Sequence, residues 1–228
     1  MICIPVVAAT NEEAMKQMDK CFPLADVVEL RIDFIGNVNL RKLLSAKTGK
    51  MLVTARRKDE GGHFEGNEKE RFSLLSEAVI LRADFIDIEL STDETFTKKL
   101  LEDIKKHGDQ TKLIVSHHDF NGTASENKLR NIFNECAGRG AHIVKIATFA
   151  NSAEDNLKIL KLISYAKKTN RKIIGLCMGE KGKISRIMAP YFGSYLSFAS
   201  LEKGAESAPG QLTVEEMREI FRILKDEK

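Results

Sequence analysis

Strand-like and helix-like stretches alternate about eight times along this 228-residue chain, and that alternation limits the possible folds more than any other feature. Runs rich in Val, Ile and Leu occupy 2–8, 26–32, 50–56, 84–90, 112–118, 142–148, 172–178 and 194–200. Between them apolar residues recur at helical spacing: Phe72, Leu75, Ala78 and Val79 mark one helix, and Leu157, Leu160, Leu162 and Ile163 another. Asn11-Glu-Glu, Thr123-Ala-Ser-Glu, Asn151-Ser-Ala-Glu and Thr213-Val-Glu-Glu read as helix starts. Repeated strand–helix units without a low-complexity linker predict an α/β chain folded as one (β/α)8 TIM barrel over residues 1–228. An open doubly wound sheet uses the same alternation. Its usual mark is missing, because the turn after the first strand, VAATNEEA, is no glycine-rich phosphate loop.

Composition narrows the partners. A formal charge of +3, with Lys and Glu interspersed, gives little support to nucleic-acid binding. No stretch approaches the roughly 20 apolar residues of a membrane span. The opening MICIPVVAAT lacks the basic flank and length of a signal peptide. Cys3, Cys21, Cys136 and Cys177 are scattered without a CxxC pair, so neither a disulfide framework nor a structural zinc site is expected. The expected setting is a reducing cytoplasm.

Charge inside the strands carries the functional signal. Alternate strand residues share a face. Glu29 and Arg31 therefore point together, as do Thr54 and Arg56, Asp87 and Glu89, and Ser116 and His118. Lys145 stands between Val144 and Ile146. Charges on five consecutive strands that each look buried on both sides fit a barrel interior, where they converge on a pocket at the C-terminal strand ends. Burying so many for stability alone is a poor arrangement, since desolvation offsets most of the attraction. A lysine amid Ile, Val and Ala is expected to be poorly hydrated, and an amine free of its proton attacks ketones to give a Schiff base. The alternative for Lys145 is a strand-end lysine that snorkels to solvent.

The histidine pair in LIVSHHDF divides by the same geometry. Neighbours in a strand face opposite sides, so His117 and His118 cannot easily share a metal ion, and no third ligand stands nearby. His118 lies on the charged face and is the candidate proton carrier. His117 is expected to face the helices in a hydrogen-bonded structural role. Two loops complete the pocket. MGEKGKISR brings Ser185 and Arg186 to a helix start, with Arg186 offering a planar fork to a carboxylate. EKGAESAPGQ is small, polar and bent in the manner of a lid, with Ser207 and Gln211 able to donate hydrogen bonds on closure.

Seven short strings taken in order resemble the type I 3-dehydroquinate dehydratases, the Schiff-base class of a shikimate-pathway enzyme. They are ELRID (29–33), TARRKDEGG (54–62), DFIDIEL (84–90), SHHDF (116–120), VKIA (144–147), MGEKGKISR (178–186) and SAPGQ (207–211). The resemblance implies a (β/α)8 lyase that converts 3-dehydroquinate to 3-dehydroshikimate with loss of water. It implies Lys145 as the Schiff-base lysine and His118 as the general acid/base. Glu60 would orient that histidine and favour its imidazolium. Glu29, Arg31, Arg56, Arg186, Ser207 and Gln211 would bind substrate, Arg186 through its carboxylate. No metal or organic cofactor is implied, and the partner is the small-molecule substrate. Family members differ in oligomeric state, so a homodimer is an expectation only. Two other functions use the same residues. A class I aldolase barrel would share Lys145, and a carboxylate-binding protein would share the pocket but need neither Lys145 nor His118.

Overall fold

The computed structural model describes residues 1–224, so the last four residues of the expected domain lie outside the described residues. Strands and helices alternate throughout. The order is β1 (Ile2–Val6), α1 (Asn11–Cys21), β2 (Val27–Arg31), α2 (Leu40–Ser45), β3 (Met51–Thr54), α3 (Glu68–Ile80), β4 (Phe85–Glu89) and α4 (Glu94–Lys106). There follow β5 (Lys112–Asp119), α5 (Glu126–Gly138), β6 (Ile143–Phe149), α6 (Glu154–Lys168), β7 (Ile173–Met178), α7 (Lys183–Phe192), β8 (Ser197–Phe198) and α8 (Val214–Leu224). The strands form one parallel sheet in the order β7-β6-β5-β4-β3-β2-β1-β8. The barrel is nearly closed. At the seam, the Tyr195 N–H donates to the Ile173 carbonyl at 2.7 Å, and among the described residues no ladder joins β7 to β8. The eighth strand is thus much shorter than the 194–200 run expected from sequence.

Strand alternation sorts the core into two layers. Odd and even positions separate cleanly: Ile4, Val28, Leu30, Val53, Ile86, Val115, Val144 and Ile146 pack outward against the helices. Cys3, Val27, Leu52, Phe85, Ile114, Ile143 and Ile174 point inward and form an apolar floor. The next inward positions toward the C-terminal end are Glu29, Thr54, Asp87, Ser116 and Lys145, all buried. Register ties them together, with Thr54 opposite Asp87 and Ser116 opposite Lys145. A dry floor under a ring of charge is what a strand period of two produces once the sheet curls.

The helix starts differ from sequence in detail. Thr10 rather than Asn11 caps α1, accepting from the Glu13 N–H, and Ser125 caps α5. The α6 start has no side-chain cap; Asp155, in its first turn, reaches back to accept from the Asn151 and Ser152 N–H groups. Thr213 does open α8, in a reciprocal pair with Glu216. Leu157 belongs to no core face. It is 56% exposed, while Leu160, Leu162 and Ile163 are buried. No described helix is long and apolar enough to cross a membrane.

Candidate active site

One cavity at the C-terminal mouth of the barrel is lined by all nine residues to which the resemblance gives a catalytic or substrate-binding role. Ser185 is turned away from it, accepting from the Cys177 N–H and donating to the Gly182 carbonyl. Glu29 and Arg31 come from β2, Arg56 from just beyond β3, His118 from β5 and Lys145 from β6. Glu60 lies in a short turn after β3, Arg186 in the first turn of α7, and Ser207 and Gln211 in the loop after β8. Phe120, Ala147, Leu176, Met178 and Phe198 add apolar walls that the sequence had not marked. They sit on the inward face like the charged residues, but an apolar strand residue carries no signal that separates a pocket wall from core.

Lys145 is not surrounded by apolar side chains alone. Its Nζ donates to Asp87 Oδ2 at 3.1 Å, lies 3.7 Å from Glu29 Oε1 and sits 4.6 Å from the centre of the Phe198 ring. Glu29 also accepts from the Thr54 hydroxyl at 2.8 Å. Burial would raise the Asp87 carboxyl, but Arg56 and Lys145 beside it hold it well below the usual carboxylate range. Asp87 is therefore a permanent anion under the lysine.

His118 and Glu60 form a buried pair. Glu60 Oε2 lies 2.9 Å from His118 Nδ1 and accepts the His118 backbone N–H at 3.0 Å. The Ser91 hydroxyl donates to the other oxygen at 2.7 Å. Burial pushes the Glu60 carboxyl up to about 7. Burial, together with the charges of Arg56 and Lys145, pushes His118 well below the ordinary imidazole value. In the free pair these influences favour a neutral imidazole, the Asp87 carboxylate acting in the opposite direction, whereas the resemblance implies an imidazolium during turnover. His117 faces away, toward α5, as alternation requires. Among the described residues nothing hydrogen-bonds its ring, so the expected hydrogen-bonded role is not found.

The four arginines of the region differ in how many of their five N–H groups are occupied. Arg56 donates three times, to Asp87 (2.7 Å), Glu89 (2.8 Å) and the Ser116 hydroxyl (2.7 Å). Arg31 grips Asp33 with two bonds of 2.9 and 2.7 Å and stacks on Phe34. Arg71, on α3, donates to Glu68, Glu89, Thr92 and the Ala55 carbonyl. Arg186 is 1% exposed, yet it makes a single bond, Nη2 to the Pro209 carbonyl at 3.1 Å, and its buried Nε has no partner. Burial without a counter-ion lowers it to about 10. An unmet guanidinium in a closed pocket is a site for an anion.

The loop after β8 lies over the cavity. Its stem is pinned where Ser200 and Thr213 bridge, and its tip docks where the Gly179 N–H donates to the Pro209 carbonyl at 3.0 Å. Ser207 and Gln211 hold each other through bonds of 2.9 and 3.1 Å. Gly210, at φ +77°, lies so close that a Cβ there would come within 2.2 Å of the Gly179 carbonyl oxygen. Among the described residues no group of three His, Cys, Asp or Glu is arranged to hold a metal.

A buried lysine, a carboxylate-braced histidine and an unmatched arginine at the mouth of a (β/α)8 barrel define a barrel enzyme site for a small anionic carbonyl compound. The family model for type I 3-dehydroquinase matches residues 2–228, and the chain belongs to that family. It is 42% identical to a 3-dehydroquinate dehydratase of Methanocaldococcus jannaschii over 98% of this chain and 99% of the relative. Its structure matches the type I 3-dehydroquinate dehydratase of Clostridium difficile, solved with covalent modified comenic acid, at a TM-score of 0.90 and 27% identity. That match covers 100% of this chain and 92% of the other. The 3-dehydroquinate dehydratase of Aquifex aeolicus matches at a TM-score of 0.81 and 32% identity, over 98% of each chain.

Proposed function

We propose that this chain dehydrates 3-dehydroquinate to 3-dehydroshikimate, in the shikimate route to aromatic amino acids, through a Schiff base on Lys145. The single observation that carries the reading is the unmatched Arg186 guanidinium facing the same cavity as Lys145 and the Glu60-braced His118. A substrate with one carboxylate and a ketone satisfies both ends.

The chemistry follows from the β-hydroxy ketone. Its α proton is too weakly acidic for imidazole to remove directly. The Lys145 amine adds to the ketone carbon, and loss of one water gives an iminium that serves as electron sink. Neutral His118 takes the α proton through Nε2, leaving an enamine, while Glu60 keeps the Nδ1 side fixed. The enamine electrons return to expel the β-hydroxyl, which leaves as a second water with the proton His118 carries. Hydrolysis of the conjugated imine consumes one water and frees the amine, so the net loss is one. Arg186 holds the carboxylate; Ser207 and Gln211 cover the substrate, and Glu29, Arg31 and Arg56 face its hydroxyls. These are orienting contributions.

Borohydride decides the matter. Added with substrate or product, it should reduce the iminium and leave a ligand-sized mass on the peptide containing Lys145. An unmodified lysine in protein that still forms the ultraviolet-absorbing conjugated product would overturn the mechanism. As compartment we propose the cytoplasm, supported by four buried, unpaired thiols. As assembly we propose a homodimer, supported by exposed Ile184, Tyr191 and Phe192 on α7. Light scattering that returned a monomer at micromolar concentration would remove the latter.

A further inference from the structure

Arg71 is, with Arg186, one of the two largest fully buried side chains among the described residues, yet it belongs to α3, on the outside of the barrel. Its five N–H groups meet five acceptors. Nε donates to Glu68 at 3.2 Å, Nη2 to Glu68 at 2.9 Å and to the Thr92 hydroxyl at 2.6 Å, and Nη1 to the Ala55 carbonyl at 3.2 Å and to Glu89. From Glu89 the chain of contacts runs inward: Glu89 to Arg56 at 2.8 Å, Arg56 to Asp87 at 2.7 Å, and Asp87 to Lys145 Nζ at 3.1 Å. We infer that Arg71 is a positioning residue for the lysine, fixing the charge and the geometry around Lys145 through Glu89, Arg56 and Asp87. The inference rests on the Schiff-base reading above.

Charge counting explains why a cation is needed at that distance. Among the fully buried groups, three carboxylates, Glu29, Asp87 and Glu89, surround two permanent cations, Arg56 and Arg71. Glu68, the other carboxylate on Arg71, is 39% exposed and screened by solvent. One negative charge is left over, and it matches one cation on Lys145, whether ammonium or iminium. Removing Arg71 leaves two, which would hold the ammonium against proton loss and delay attack on the ketone. The other groups facing Lys145 are His118 and the Cys3 thiol; those facing Arg71 are Glu68 and, more remotely, Asp59. A merely structural arginine would be costly here, since an apolar side chain of similar volume avoids the desolvation.

The test compares the wild-type chain with Arg71→Met and Arg71→Lys, each at a temperature where circular dichroism shows it folded. Two quantities are read across pH: steady-state dehydration, and borohydride trapping on Lys145 located by mass. In Arg71→Met the trapping midpoint should move up by about half a unit to one unit. The kcat should fall several-fold near neutral pH, recovering at higher pH, with KM within about twofold. Arg71→Lys, which restores the charge but only three donors, should return part of the shift. A folded Arg71→Met with the wild-type midpoint and kcat, whatever its melting temperature, overturns the inference. If Arg71→Met does not fold, Glu68→Gln carries the test. It removes a half-exposed anion from Arg71 and should move the midpoint down, whereas an unmoved midpoint overturns the inference. Failure to trap the wild-type lysine would instead defeat the Schiff-base reading, so the two failures are distinct.

Discussion

At the scale of single residues, hydrogen-bond occupancy separates arginines that one-letter code makes equal. Arg71 has every donor satisfied and Arg186 has one, although both are buried. Arg186→Gln should therefore raise KM about 100-fold or more, on the order of 3 kcal/mol, with a smaller effect on kcat. Steady-state kinetics checks this, and an unchanged KM would remove the carboxylate from that site. The Glu60–His118 pair predicts a pH dependence. With Glu60 raised to about 7 and His118 depressed, the folded pair holds one proton below about 7, placed by these directions on Glu60. Above that pH the pair is carboxylate and neutral imidazole, the form that fixes the Nδ1 proton and leaves Nε2 free as base. Activity should thus rise through about 7 in the wild type. Glu60→Gln should lose that limb and about 100-fold of kcat. For stability the sign runs the other way: Glu60, raised above its unfolded value, destabilises as pH climbs from about 4.5 to 7. His118, depressed, offsets this below about 6.5, because there the unfolded chain protonates the imidazole and the folded one does not.

Among the elements, the loop after β8 is the one whose conformation the site depends on. Its stem is held by the Ser200–Thr213 bridge and its tip by Pro209, whose carbonyl accepts from both Gly179 and Arg186. The arginine that meets the unmatched end of the cavity therefore also holds the cover. Gly210→Ala adds a Cβ at φ +77° and 2.2 Å from the Gly179 carbonyl, so the tip must lift. KM should rise about tenfold with little change in melting temperature. Gly204→Ala, at φ +87° but with nothing within 4 Å, serves as control for backbone strain alone. Equal effects in the two variants would mean that docking of the tip does not matter. The bent, polar composition of this loop was visible in sequence. Its docking was not, because it depends on the Gly179 N–H, in the turn after β7 and far away in sequence.

Across the whole molecule the barrel is uneven. Central strands β5 and β6 share six paired positions, from Ile114↔Ile143 to Asp119↔Thr148, whereas the β7–β8 seam rests on the Tyr195–Ile173 backbone bond and on the Ser194 hydroxyl, which accepts from the Gly175 N–H. Amide exchange should be fastest in β8 among the strands, and in Tyr195 just before it, and slowest in β5 and β6. Uniform protection around the ring would contradict that. Arg186 lies on α7, which links β7 to β8, and its carbonyl accepts from the Ser197 hydroxyl of β8, so the helix that carries the anion site joins the two strands least tied by the sheet.

What the sequence determined by itself was the βα alternation, the inward face of each strand and, with it, the placement of Glu29, Arg56, His118 and Lys145 in one interior. Strand periodicity is local, so a few residues suffice to read it. The tertiary structure alone decided which charges pair. Lys145 was expected among apolar neighbours and lies instead beside Asp87 and Glu29. Arg71 sits among the helical positions Phe72 and Leu75 and carries no sign in sequence of reaching Glu89, 18 residues away. Ser91 and Asp33, which hold Glu60 and Arg31, were equally silent. Pairing depends on how α3 seats over β3 and β4 and how the strands stagger, and those distances exist only once the barrel has closed.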